Sequence, residues 1–279
     1  MLGTELLAAA PRDAAIIAPG IDDVDITDRT RLSAAIDDAR PDWIINSAAY
    51  TAVDQAESEP AIANAVNGDA PGLIGAEAAR RGIAVVHFST DYVFPGTAHV
   101  PYRESDAVSP VNAYGESKLR GERALLASGA HALVLRTQWL FGVAGKSFPR
   151  TMWDRASTAK ATRVVSDQFG RPTYAPDLAR VTWELVARGE RGILHVTNGG
   201  APVSWFAFAQ RVFDRAGAST LISPCTSAEY PTPARRPAYS ALSTERLEGI
   251  LGRSLPPWED ALDRFLEDLG ASAASVATK

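Results

Sequence analysis

A single cysteine, Cys225, in 279 residues excludes an internal disulfide and suits a reducing, cytoplasmic compartment. No apolar run approaches the ~18 residues that a membrane-spanning helix needs. The first ten residues have the small, apolar look of a leader, yet they lack a basic start and carry Glu5, so no secretion signal is expected. Lysine is scarce as well, with four against 24 arginines. The net charge of -5 gives no general attraction for nucleic acid or an anionic membrane. A phosphorylated ligand must then be gripped locally, by arginines or helix N-termini. The four histidines, His87, His99, His131 and His195, fall at no metal-ligand spacing and read as packing or surface residues, so no protein metal site is expected.

What is present is apolar segments of two kinds in alternation. Hydrophobic residues make up 46% and charged ones 22%, enough for one large α/β unit with an appended lobe. Strands are expected at Ala14 to Ala18, Trp43 to Ala49, Ile83 to Ser89, Ala132 to Thr137, Thr162 to Ser166 and Ile193 to Thr197. Helices are expected between them, at Thr30 to Ala39, Pro71 to Arg81, Pro110 to Leu126, Phe148 to Ala159 and Pro176 to Arg188. That alternation predicts a doubly wound parallel sheet of the Rossmann type. The character changes after Asn198: Ser204 caps a helix to Ala216, Ser223 to Ser243 is proline-rich loop, and an amphipathic helix runs from Pro257 to Leu269. Residues 1–198 therefore read as a dinucleotide-binding domain, 199–270 as a small substrate-binding lobe to which segments after about 142 contribute, and 271–279 as a disordered tail.

The chemistry concentrates in Tyr114-Gly-Glu-Ser-Lys118, preceded by Ser89-Thr90-Asp91-Tyr92-Val93-Phe94 at the end of an apolar run. A tyrosine hydroxyl titrates near ~10 in water, so acid-base work near neutrality calls for a neighbouring cation that stabilises the phenolate. Lys118 is four residues on, hence on the same helix face. In an open parallel sheet ligands bind beyond the carboxyl ends of the strands, which puts Ala48, Ala49, Tyr50, Thr90 and Asp91 on one rim. Ala48 and Ala49 would let a cofactor approach the backbone, and the Thr90 hydroxyl would face the group being reduced. Arg171 and Arg236 are candidates for a diphosphate, because guanidinium offers paired donors.

Thr90, Tyr114 and Lys118 resemble the triad of the extended short-chain dehydrogenase/reductases. More closely, residues 89–96, Asn112-Ala113-Tyr114-Gly115-Glu116-Ser117-Lys118 and Pro231-Thr232-Pro233-Ala234-Arg235-Arg236-Pro237 resemble the dTDP-4-dehydrorhamnose reductase family, in family order and over Leu2 to about Leu269. The resemblance implies hydride transfer from NADPH to C4 of a dTDP-linked 4-keto sugar, with Tyr114 as proton donor, Lys118 as its cation and ribose contact, and Thr90 at the reacting oxygen. It also implies cofactor contacts from Leu2, Asp25, Ile26, Ala49, Tyr50 and Thr51, and sugar contacts from Asp91 and Trp139. NADH stays open beside NADPH, because the acidic turn after the expected second strand offers no arginine for a 2′-phosphate. Monomer and homodimer are both open, as is a Mg2+ ion bridging a dimer through surface carboxylates such as Glu5.

Related 4,6-dehydratases carry an acidic pair after the triad threonine, whereas here Tyr92 follows Asp91, which favours simple ketone reduction. An epimerase that uses the same triad is the nearer alternative. The family pattern also opens with a strand and a glycine turn, whereas Leu2 and Gly3 align with the last glycine of that turn. The expectation is a working protein longer than this sequence; failing that, a non-catalytic relative that binds a partner protein.

Overall fold

The computed structural model describes the backbone of residues 1–277 and the side chains of residues 1–270. Four parallel strands form the main sheet in the order Trp43–Asn46, Ala84–Thr90, His131–Thr137 and Gly192–His195. Side chains alternate across it, as a period of two requires. Val85 and Val134 face Leu32, Ile36, Ile74 and Leu125, while Val86, Leu133 and Leu135 face Leu6, Leu178, Leu185 and Leu247. Both faces are thus covered by helices, Arg29–Ala39, Ala70–Arg81 and Ala113–Ala127 on one side and Leu2–Ala8, Ala175–Ala187 and Glu245–Leu251 on the other. Helix ends follow local chemistry: the Asp28 carboxylate accepts the Thr30 and Arg31 N–H groups at the start of one, and Gly82 stops another at a left-handed φ of 70°.

A second core carries the lobe. Phe208, Val212, Phe213, Leu262 and Phe265 pack with Phe141, Met152, Val164 and Tyr174, so residues on both sides of Asn198 build it. Small two-stranded pairings tie the pieces together, notably Thr162–Val165 with Ile222–Cys225.

Several expectations are corrected. Ala14 to Ala18 forms no strand; it joins no ladder, and Ile16 and Ile17 are 41% and 68% exposed. A strand exists only by pairing, and among the described residues Trp43–Asn46 is an edge of the sheet with no neighbour on its outer side. That edge strand also ends at Asn46 rather than Ala49. The Tyr114 helix begins at Ala113, not Pro110, because the Asn112 side chain accepts the Gly115 N–H and sets the cap there. The proline-rich segment contributes Ile222–Cys225 at its start, and the helix Glu245–Leu251 appears where no element was expected. The last helix runs Trp258–Ala277, past the expected end at Leu269 and into the expected tail, while residues 278–279 of that tail lie outside the described residues.

Candidate active site

The carboxyl ends of the central strands place the site. Ala84–Thr90 delivers Ser89 and Thr90 and runs straight into the turn Asp91–Val93, and its neighbour delivers Thr137, Gln138 and Trp139. Thr90 and Thr137 are cross-strand partners. The helix Ala113–Ala127 then brings Tyr114 and Lys118 against this rim. Close approach depends on Gly115, where a Cβ would lie 2.3 Å from the Tyr92 carbonyl oxygen. Tyr114 meets Tyr92 edge to face, with ring centroids 5.8 Å apart.

Burial dominates the electrostatics. Desolvation pushes the Tyr114 hydroxyl up to about 12, the Asp91 charge adds to that, and the Thr90 hydroxyl pulls the other way. The phenol is therefore held protonated, as a proton donor must be. Asp91 is 2% exposed. Its carboxyl is raised to about 7, mainly by burial. The Thr90 hydroxyl donates to Asp91 Oδ1 at 3.0 Å and itself accepts the Tyr92 N–H at 3.2 Å.

Lys118 is buried as well, and burial brings its amine down to about 8 against the opposing pull of Glu122. The amine donates to the Phe88 carbonyl at 2.5 Å and lies 3.4 Å from His87 Nε2, so it does not hydrogen-bond Tyr114 in this state. Glu122, one turn further along the helix, is forked on Arg136 at 2.8 and 2.7 Å, both groups fully buried. The Arg136 guanidinium in turn sits 5.1 Å above the Phe94 ring.

Other sequence-predicted residues divide. Ala48, Ala49 and Thr51 are exposed on the rim beyond the edge strand. Tyr50 is half-buried, its hydroxyl donating to Glu59 at 2.7 Å. Trp139 adopts a left-handed φ of 47°, unusual for a bulky residue, and stacks on Trp205 at a centroid distance of 3.5 Å. Leu2 is buried in the main core against Leu6 and Leu178, so only its backbone faces outward. The Asp25 carboxylate bonds within its own turn, to the Thr27 N–H and hydroxyl, and the Ile26 side chain packs on the Leu32 cluster. Arg236 lies beside Tyr92, but its guanidinium is forked on Asp54 at 2.8 Å for both contacts. Arg171 is buried, its backbone N–H donating to Gln138 Oε1 at 2.9 Å and its guanidinium to the Leu242 carbonyl at 3.2 Å.

Sequence reasoning missed Asn67. It sits in a π-helical turn, Asn64–Asp69, where its carboxamide both accepts the Tyr50 N–H and donates to the Tyr50 carbonyl, at 2.9 Å each, and reaches Ser117 at 3.1 Å. It therefore fixes the rim loop to the Tyr114 helix. His87, read as packing, instead touches the key amine. Among the described residues no group of three or more His, Cys, Asp or Glu side chains is arranged to hold a metal ion.

The donors present fit a nicotinamide nucleoside at the rim. One Lys118 hydrogen is directed at the Phe88 carbonyl, which leaves the amine a donor for a ribose hydroxyl. Ala48 and Ala49 leave room beside the backbone, and the buried Ser89 Oγ, Asp91 Oδ2, Thr137 Oγ1 and Gln138 Nε2 have no hydrogen-bond partner among the described residues.

A parallel nucleotide-binding sheet with a half-buried tyrosine and a buried lysine one helical turn apart at its carboxyl rim defines the class of the short-chain dehydrogenase/reductases. The sequence matches the profile of the RmlD substrate binding domain over residues 1–271. It is 43% identical over 265 residues to a dTDP-4-dehydrorhamnose reductase of Burkholderia thailandensis, covering 89% of each chain. It is equally 43% identical to a probable dTDP-4,6-dihydroxy-2-methyloxan-3-one 4-ketoreductase of Streptomyces antibioticus, covering 98% of this chain and 93% of that one. The crystal structure of a dTDP-4-dehydrorhamnose reductase from Bacillus anthracis in complex with NADP superposes with a TM-score of 0.91 at 33% identity, covering 96% and 95% of the two chains. The chain belongs to the dTDP-4-dehydrorhamnose reductase family.

Proposed function

We propose that this protein reduces dTDP-4-dehydro-6-deoxy-L-mannose to dTDP-L-rhamnose at the Tyr114 site, with NADPH as reductant. The observation that carries this reading is Tyr114 itself, half-buried beside the buried Thr90 and Asp91 with its proton retained. When bound, NADPH supplies the hydride that reaches C4 of the sugar. Tyr114 donates its phenolic proton to the C4 oxygen, and the Thr90 hydroxyl orients that oxygen. Lys118 holds the ribose through an N–H not directed at Phe88 and, as an ammonium, favours the phenolate left on Tyr114. Asp91 supplies a carboxyl to the sugar hydroxyls, and the Trp139 indole gives the ring an apolar wall. Arg236 can serve the diphosphate only by sharing or exchanging its Asp54 fork. Ala49, Tyr50 and Thr51 hold the cofactor from the rim, and Asn67 holds them.

The NADP in the Bacillus anthracis relative supports NADPH over NADH. The test follows NADPH absorbance with the purified protein and the keto sugar nucleotide. Stoichiometric oxidation with formation of dTDP-L-rhamnose is expected, and no oxidation would sink the reading. The Streptomyces antibioticus relative motivates a second 4-keto sugar nucleotide, one that keeps the 3-hydroxyl but lacks the 2-hydroxyl, in the same assay. Faster turnover of that sugar would move the substrate assignment while keeping Tyr114 as donor.

A further inference from the structure

His87 has no part in the chemistry above, yet it is 1% exposed and lies between two polar groups. Its Nε2 is 3.4 Å from Lys118 Nζ, and its Nδ1 is 3.2 Å from Asn46 Nδ2. The orientation of the Asn46 amide is set one step further out, because its Oδ1 accepts the Ala48 N–H at 3.2 Å. The amide NH2 must then face His87. An NH2 group only donates, so Nδ1 carries the lone pair, and the single proton of a neutral imidazole resides on Nε2. Burial and the nearby Lys118 charge both keep this imidazole neutral.

The Nε2–H consequently points at the lysine. An ammonium has three donors and no lone pair, so a charged Lys118 faces His87 donor to donor, whereas a neutral amine accepts the Nε2–H. We propose that Asn46 and His87 form a positioning pair that sets the protonation equilibrium of Lys118, with Asn46 fixing the His87 tautomer and the His87 Nε2–H favouring the neutral amine. This rests on the reading of Lys118 as the cation of the site.

The other titratable groups facing Lys118 are Tyr114, one turn back, and Glu122, one turn on. Glu122 favours the ammonium, but its carboxylate is already neutralised by Arg136. The pair opposes Glu122 and acts in the same direction as burial, which lowers the Lys118 amine to about 8. The consequence is a lysine that exchanges its proton between turnovers in place of a fixed charge.

The test is nuclear magnetic resonance of the ligand-free protein labelled with 15N at histidine and lysine, of which the chain has four each. Loss of one histidine signal set in His87→Gln assigns it. Wild-type His87 should show the Nε2–H tautomer at all pH values where the protein is folded, and the Nδ1–H tautomer would overturn the proposal without any variant needing to fold. In Asn46→Asp one carboxylate oxygen still accepts the Ala48 N–H, while the other now accepts from Nδ1–H, so the tautomer should switch. With the Nε2 lone pair turned to the amine, the Lys118 midpoint should rise by about one pH unit or more, and the alkaline limb of kcat/KM should follow it. Asn46→Asp combined with His87→Phe adds the charge without the ring. An equal rise there, or no rise in Asn46→Asp despite a switched tautomer, refutes the pair. Both measurements on ligand-free protein read the same whether or not the keto sugar proves to be the substrate.

Discussion

Replacing Gly115 by alanine should damage the rate far more than the fold. Alanine is the better helix former by about 1 kcal/mol, so on propensity alone the helix Ala113–Ala127 gains. The added Cβ, however, would sit 2.3 Å from the Tyr92 carbonyl oxygen, 3.0 Å from its carbon and 3.2 Å from Pro110 Cβ. Backbone cannot swing aside as a side-chain end does. To reach ordinary contact at 3.4 Å the helix must retreat by about 1 Å from the turn that carries Thr90, Asp91 and Tyr92. Overpacking of this kind costs about 1–3 kcal/mol, so the net loss of stability is about 0–2 kcal/mol. A misplacement of about 1 Å between reacting groups lowers a rate by roughly 10²-fold. Steady-state NADPH oxidation beside thermal unfolding reads both quantities, and Gly249→Ala is the control, since nothing lies within 4 Å of a Cβ there. The control should keep its rate and match or exceed wild-type stability. Wild-type kcat in Gly115→Ala would refute the claim that this contact positions Tyr114.

Tyr114→Phe should abolish turnover while cofactor affinity, read by NADPH fluorescence titration, stays within about twofold, since only the transferable proton is lost; substantial residual kcat would mean another group donates. Glu122→Gln leaves Arg136 buried without its counter-charge and should lower stability by about 3–5 kcal/mol, a fall in Tm of about 6–20 °C in a melting scan. Asp91 titrates at about 7 in the fold against 3.8 ordinarily, so the folded state binds the extra proton between those values. Its stabilising effect is present at low pH and lost as pH rises through about 7, a slope in denaturant stability that Asp91→Asn should flatten.

Much of the site was legible because its signals are local. Tyr114 and Lys118 follow from helical spacing, the Gly82 stop from local backbone chemistry, and the rim from where buried strands end, whereas the Asn112 cap was missed. What stayed hidden depends on contacts across the chain. His87 meets Lys118 over 31 positions, Asn67 meets Ser117 over 50, and Arg236 meets Asp54 over 182, none of which leaves a periodic trace. The failed strand at Ala14 to Ala18 teaches the converse: β-branched residues announce a willingness to pair, and pairing needs a partner that composition does not reveal. Arg236 shows the same limit for charge, since a guanidinium free on paper is neutralised in space.

The stacked indoles of Trp139 and Trp205 have an optical consequence. Two such chromophores in van der Waals contact, with ring planes 11° apart, couple their electronic transitions and quench each other's emission. On the proposed reading of Trp139 as the sugar's apolar wall, a bound sugar ring would perturb that coupling. The pair would then act as its own label, and on that reading substrate entry can be timed from tryptophan fluorescence before any hydride has moved.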